Sequence, residues 1–595
     1  MNKTLRFWRS AAALSVFAVT SCVSGEPSPS ETREAEIPPF IDPVIMAQNT
    51  CAGRADAPLA TEPVSATRAF EFAEPFALPD AVMAHFHYPI STAAPEAQAW
   101  FDTGMAHMAN FNHDEAIAAF RKAQAKDPKC AMCYWGEGLS FGSNINIPYA
   151  PDRGAAGRIA ATEALAHIAA VTAHEAALIQ ALDQRYRVTD NAETVENADA
   201  FADAMDQVAR DFSDDKLILS LAAEANMDTQ PWDYWQPGAR VPKGRTARTL
   251  ELIERALAID PEFAPAIHLY IHITESSLDP YRAEAFADTL WDQNLGVGHL
   301  IHMPSHIYLR LGDWKKAQAS NIEAIAADEA YIAVSGNAQV YGSVYYPHNV
   351  HFVVASSQFA GDATTALTMS EKLVRLAALD PTGPNPLAEH IAAAPMFTDL
   401  LFSGDEAVLA IPEPAAAHLY LRTAWHYARG TVFAQQGEPV AAAKELAALG
   451  GLTQMPGFEA YDSLYFVPLA GVQSVAYLTL EGRLLAASGD LKGAIDRLEA
   501  AAAAEADLPY FEPTWWYYPT RQTLGLFLLQ DGQYERAERE FFKTLIKAPN
   551  NAYALFGLAE TFAAQEDTRS ETYARALFEE AWMGPAGTQP DLADL

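Results

Sequence analysis

A spaced set of small, aromatic and proline positions recurs along this chain and limits its fold more than any other feature. It is clearest in WFDTGMAHMANFNHDEAIAAFRKAQAKDP, which starts at Trp100. Gly104 and Ala116 are small enough to let two helices approach closely. Phe120 and Ala123 fill the seam to the next helix, and Pro128 ends the second one. The set returns at Gly430, Gly437, Ala442 and Leu446, and at Gly482, Gly489, Ala494 and Leu498. It appears again at Gly525, Gly532, Ala537, Phe541 and Pro549, and from Leu555 through Leu558, Ala559 and Phe562. Alanine is frequent and β-branched runs are scarce, so the chain is expected to be all-α. A second unit starts at Tyr134-Trp135 with Gly138 at the small position, and the polar stretch 142–148 breaks it as an inserted loop. Residues 151–227 read as four less regular helices, with Thr172 and Ser213 as N-caps.

Within this frame the histidines are unevenly placed. Seven of the sixteen fall between His268 and His351. His268 and His272 are four apart, and Glu275 follows three later. His299, His302 and His306 step by three and four, and His348 and His351 are three apart. Residues three or four apart share a helix face, so three successive segments each aim imidazoles in one direction. Imidazole is the commonest side-chain metal ligand, and a carboxylate completes many such sites. The candidate ligands are therefore these seven histidines and Glu275. Two groups of about three imidazoles suit a dinuclear copper site, whereas a mixed His/Glu set suits zinc or non-haem iron. Tyr308, Tyr345 and Tyr346 lie beside the histidines as candidate substrate-side groups. His113 reads as a solvent-side turn residue, and Glu323 and Glu329 as solvated charges.

A net charge of -36 excludes sequence-independent nucleic-acid binding and docking onto anionic lipid. Lys3, Arg6 and Arg9 followed by the apolar run 11–20 read as a leader too short to span a bilayer. Val19-Thr20-Ser21-Cys22 resembles a bacterial lipobox, with Cys22 the lipidated residue. The expectation is export, with a lipid anchor as the sole membrane attachment, in the periplasm on the outer membrane of a Gram-negative cell. Cys130 and Cys133 are expected to form a local disulfide in that compartment; Cys51 has no evident partner.

The repeat pattern resembles the tetratricopeptide superfamily over most of residues 95–580. Blocks such as GHLIHMPSHIYLRLGD and YYPHNVHF resemble a narrower set of exported bacterial repeat proteins without an established activity. The superfamily resemblance implies a right-handed superhelical solenoid of antiparallel helix pairs, whose first helices line the concave face. It implies that His268, His272, His306 and His351 stand on three successive groove-lining helices.

The organisation expected is a leader at 1–22, a tether and extended arm at 23–80, and an N-terminal repeat with irregular helices at 81–230. A central histidine-rich region at 231–360 and C-terminal repeats at 361–595 follow. Function is expected to be that of a metal-dependent enzyme, an oxidoreductase or a hydrolase, with its centre in the groove. The alternative is a metal-free scaffold that binds peptide or protein partners. Phosphate-loop, dinucleotide and HExxH motifs do not occur.

Overall fold

The computed structural model describes residues 75–591, apart from 190–193, 336–340, 378, 380–382 and 465–466. The leader, Cys22 and Cys51 lie outside the described residues, as does most of the arm. What is described of the arm lies on the body: Phe76 N–H donates to Glu115 Oε2 at 2.8 Å, and Leu78 is buried.

The described residues are all-α apart from one small hairpin, and the helices pack in consecutive pairs. Helices that build or frame the site are labelled here. They are α1 (Pro95–Ala109), α2 (His113–Lys126), α3 (Lys216–Met227), α4 (Ala264–Glu275), α5 (Gly298–His302) and α6 (Pro304–Leu311). They continue with α7 (Trp314–Ser335), α8 (Tyr346–Ala360), α9 (Thr520–Gln530), α10 (Tyr534–Lys547) and α11 (Ala552–Ala564).

The recurring small and aromatic positions explain the pairing. The ring of Phe120 on α2 lies between Gly104 of α1 and Gly136 of the following helix, and a Cβ on either glycine would overlap it. Phe541 on α10 sits in the same way between Gly525 of α9 and Gly557 of α11. Phe120 is fully buried, so Phe120→Ala should cost about 3–5 kcal/mol. Urea unfolding followed by circular dichroism checks this, and an unchanged midpoint would contradict the seam.

Residues 151–227 form four helices as expected. Thr172 caps its helix in a reciprocal box with Glu175. At α3 the cap is Asp215, which accepts from Leu217 N–H and Ile218 N–H, and not Ser213, because the helix starts at Lys216. The antiparallel hairpin of β1 (Tyr186–Val188) and β2 (Thr194–Glu196) was not legible in the sequence. Cys130 and Cys133 are disulfide-bonded. Among the described residues no helix is long and apolar enough to cross a membrane.

The solenoid folds back on itself. Gly312, in the left-handed region at φ 71°, ends α6 where a Cβ would overlap the Pro549 carbonyl. Trp314 Nε1–H donates to Asn550 O at 3.0 Å, and Met583 N–H donates to Ala360 O at 2.8 Å. From the other end, Tyr331 OH donates to Glu115 Oε1 at 2.8 Å. The central histidine region is thus covered by segments from both ends of the described chain.

Candidate metal centre

Helices α4, α5, α6 and α8 carry the histidines. Pro265 and Pro304 stand in the first turns of α4 and α6, where a missing N–H costs nothing. Pro347 does the same for α8, which follows directly on a π-helical turn at Tyr341–Tyr345.

Six imidazoles gather into two groups of three. His268, His272 and His299 form one, and His302, His306 and His348 the other; within each, the ligand atoms lie within 4.8 Å of one another. The groups abut: the rings of His272 and His306 are 5.8 Å apart, and those of His299 and His302 are 5.9 Å apart. One phenylalanine packs on each group. Phe111 lies 4.4, 5.9 and 5.4 Å from His268, His272 and His299. Phe352 lies 4.8, 4.9 and 4.9 Å from His302, His306 and His348.

The ring nitrogens are sorted. His268 Nδ1–H donates to Ala109 O at 2.9 Å, and its Nε2 faces Nε2 of His299 at 3.2 Å. His302 Nδ1–H donates to Asn321 Oδ1 at 2.7 Å, while its Nε2 accepts from His306 Nε2 at 2.9 Å. Glu275 stands behind both groups: its Oε1 accepts from His272 Nδ1 at 3.0 Å, and its Oε2 accepts from His306 Nδ1 at 2.6 Å. Glu512 Oε2 accepts from the same His306 nitrogen at 2.9 Å. A carbonyl, amide or carboxylate oxygen on Nδ1 fixes the tautomer that leaves Nε2 free for a metal. His272 Nε2 is buried without a hydrogen-bond partner. A buried imidazole nitrogen without a protein partner is one that a cation would satisfy.

Electrostatics agree with that sorting for five of the six imidazoles. Burial holds His268, His272, His299, His302 and His348 well below the usual imidazole range, and neighbouring imidazoles add to it. They are therefore neutral, the form that binds metal. Burial also pushes His306 down, but the Glu275 charge and hydrogen bonds to Glu275 and Glu512 outweigh it and raise it to about 10.

Other expected site residues fall elsewhere. His351 Nε2 meets the Tyr517 hydroxyl, and its ring lies 5.2 Å from His390, so it belongs to a separate buried set. The cause is helical phase: three residues past His348 on α8, its ring turns toward the C-terminal aromatic segment. Glu275 joins His306 and Glu512 in a third group within 4.8 Å. Tyr345 lies against His299, the ring centroids 4.6 Å apart and the planes tilted by 46°. Tyr308 and Tyr346 face away and donate to Asp288 Oδ1 and Glu329 Oε1, each at 2.7 Å. His113 is buried, not solvent-facing, and lies 3.2 Å from Asn144 Nδ2. Burial lowers it to about 3, with Arg153 and Arg185 adding to the effect.

Sequence reasoning missed Glu512, Asn321, Phe111 and Phe352. Asn321 was findable, since it lies between the small positions Ala317 and Ala324 on one buried face of α7. Glu512 comes from the aromatic, proline-bounded segment before α9, and its distance of 206 residues from His306 carries no local signal.

The geometry defines an all-α protein of consecutive helix pairs with two trihistidine groups at its centre. A tetratricopeptide repeat family model matches residues 97–130, so that segment is such a repeat. No curated protein matches the chain. Solved structures similar to it include the crystal structure of the APC/C hetero-tetramer Cut9-Hcn1, at 12% identity and TM-score 0.26 over 82% of this chain and 76% of that one. The human IFIT1 dimer with m7Gppp-AAAA is similar at 11% identity and TM-score 0.28, over 85% and 95%. The P58(IPK) TPR domain is similar at 11% identity and TM-score 0.21, over 80% and 99%.

Proposed function

We propose that this is a dinuclear metalloprotein, each trihistidine group holding one ion, and that it is a metal-dependent enzyme. The observation that carries this reading is the nitrogen sorting: Nε2 atoms converge while carbonyl, amide and carboxylate oxygens hold the Nδ1 atoms of His268, His302, His272 and His306. Six imidazoles without a thiolate suit copper, and the split into two all-imidazole groups favours a copper pair over a mixed His/Glu zinc or iron site. A bound pair supplies Lewis acidity and, for copper, one-electron chemistry toward dioxygen. The residues around it exclude water, through Phe111 and Phe352, and hold protons at Nδ1. Burial supports a centre over a peptide-binding groove, because His268, His272, His299, His302 and His306 are all buried. Together with the leader and Cys22, the reading is of an enzyme of the cell envelope, anchored by lipid.

Metal analysis of protein purified without a histidine tag tests this directly. The expected content is two ions per chain after reloading. His302→Ala with His306→Ala should leave one, as should His268→Ala with His272→Ala. Less than one equivalent of any transition metal in the unmodified protein would end the reading; two equivalents of zinc would keep the centre and replace copper.

A further inference from the structure

A cavity of about 850 Å³ opens beside the first trihistidine group. That volume lies in the range of small-molecule sites. It is walled by one face of α3 at Leu217, Ser220, Leu221 and Glu224, by α1, and by the segment 84–89 that precedes α1. Its apolar end is formed by Met105, Met108, Phe111 and Leu269 and stops at His268. Phe111 is the ring that packs on His268, His272 and His299, so the cavity and the first group share a wall.

Another part of the lining is acidic. Asp211, Asp214 and Asp215 line it. Lys216 is the single Lys or Arg among the described lining residues, and Asp260 pairs with it. Asp214 pairs with Arg255 at 3.1 Å. Asp211 and Asp215 receive neutral donors: Gln207 Nε2 at 2.9 Å for the first, and Tyr88 OH at 3.0 Å and backbone N–H groups for the second. Their charges attract a cation and repel an anion. The ring of Phe263 already carries the Lys216 ammonium, 4.6 Å from its centroid, so aromatic faces here accept cations.

We propose that this cavity is the substrate site, and that the substrate is a compact amine: an apolar or aromatic body toward Met108 and Phe111, and an ammonium group toward Asp211 and Asp215. That it is a substrate site rests on the dinuclear reading; that it binds amines does not.

The probes are 2-phenylethylamine, 2-phenylethanol and 3-phenylpropionate, titrated calorimetrically into metal-free and copper-loaded protein. The amine should bind one per chain, at least about tenfold tighter than the carboxylate of similar body. Asp211→Asn with Asp215→Asn should close that gap and leave the alcohol unaffected; asparagine keeps the helix cap. Met108→Trp should fill the apolar end and abolish binding. In copper-loaded protein the bound amine should shift the cupric absorption, because the cavity ends on His268. Equal or undetectable binding of amine and carboxylate overturns the proposal, as does binding retained by folded Met108→Trp protein. An unshifted spectrum overturns the substrate assignment. Amine binding to a protein that holds no metal would support the cavity while the dinuclear reading fails.

Discussion

Glu275→Ala should weaken metal binding unequally, by about 100-fold at His268–His272–His299 and about tenfold at His302–His306–His348. The asymmetry follows from the oxygens. Glu275 Oε1 is what His272 Nδ1 donates to, so alanine leaves that buried proton without its acceptor. His306 keeps Glu512 Oε2 at 2.9 Å. Glu512→Ala should therefore weaken the second group alone. Without metal, Glu275→Ala also removes one of two carboxylates from a buried cationic imidazole. Because Glu512 still faces that imidazole, the cost should fall below the ~3–5 kcal/mol of a fully unpaired buried charge. Two-site calorimetric titration and urea unfolding read both effects. Equal weakening of the two groups would show that Glu275 does not orient His272, and an unchanged unfolding midpoint would show His306 to be neutral.

The second large effect is acid lability of the metal-free protein. Nine described histidines are held below their ordinary value by burial: His107, His113, His268, His272, His299, His302, His348, His351 and His390. An unfolded chain protonates them near pH 6.5, whereas the folded chain does not until well below. For His113 and His390, both lowered to about 3, the stabilisation is complete above pH 6.5 and is lost as pH falls from there toward 3. The slope approaches about 1.4 kcal/mol per pH unit for each group. His306 acts in the opposite sense: its contribution is present below pH 6.5 and is lost as pH rises through about 10. Glu224, raised to about 7 by burial, also offsets part of the loss on acidification. The histidines outnumber these offsets, so the unfolding free energy should drop steeply between pH 6.5 and 5, with uptake of several protons. His390→Leu should reduce that uptake by one. A flat profile across this window would mean that water reaches the centre.

Much of this was legible in the sequence, for a specific reason. Gly104, Phe120, Gly525 and Phe541 act within one helix pair and its neighbour, so local spacing reveals their role. His268 and His272 share a face of α4 because four residues make about one turn, and that too is local. The separate fate of His348 and His351 was not legible. Both fit a three-residue step, but α8 has partners on two sides and the phase of its contacts is set by distant chain. Glu512 and Phe111 were hidden for the same reason, since each arrives from a different end of the solenoid. Asp215 displaced Ser213 as a cap because sequence preference does not resolve which of several acceptors the loop geometry selects. The leader, Cys22 and Cys51 remain expectations of the sequence.

The back-folding of the C-terminal repeats sets an order of events during synthesis. All six imidazoles have been made by residue 348, yet the carboxylate at 512 follows 206 residues after His306. A growing chain thus offers naked nitrogen donors well before the segment that finishes them. On the proposed reading, translation halted between 348 and 512 would yield a fragment that binds cations more weakly than the finished fold. Segments from both ends of the described chain close over the histidines only once the C-terminal repeats are made, so on the proposed reading discrimination among metals belongs to the completed fold.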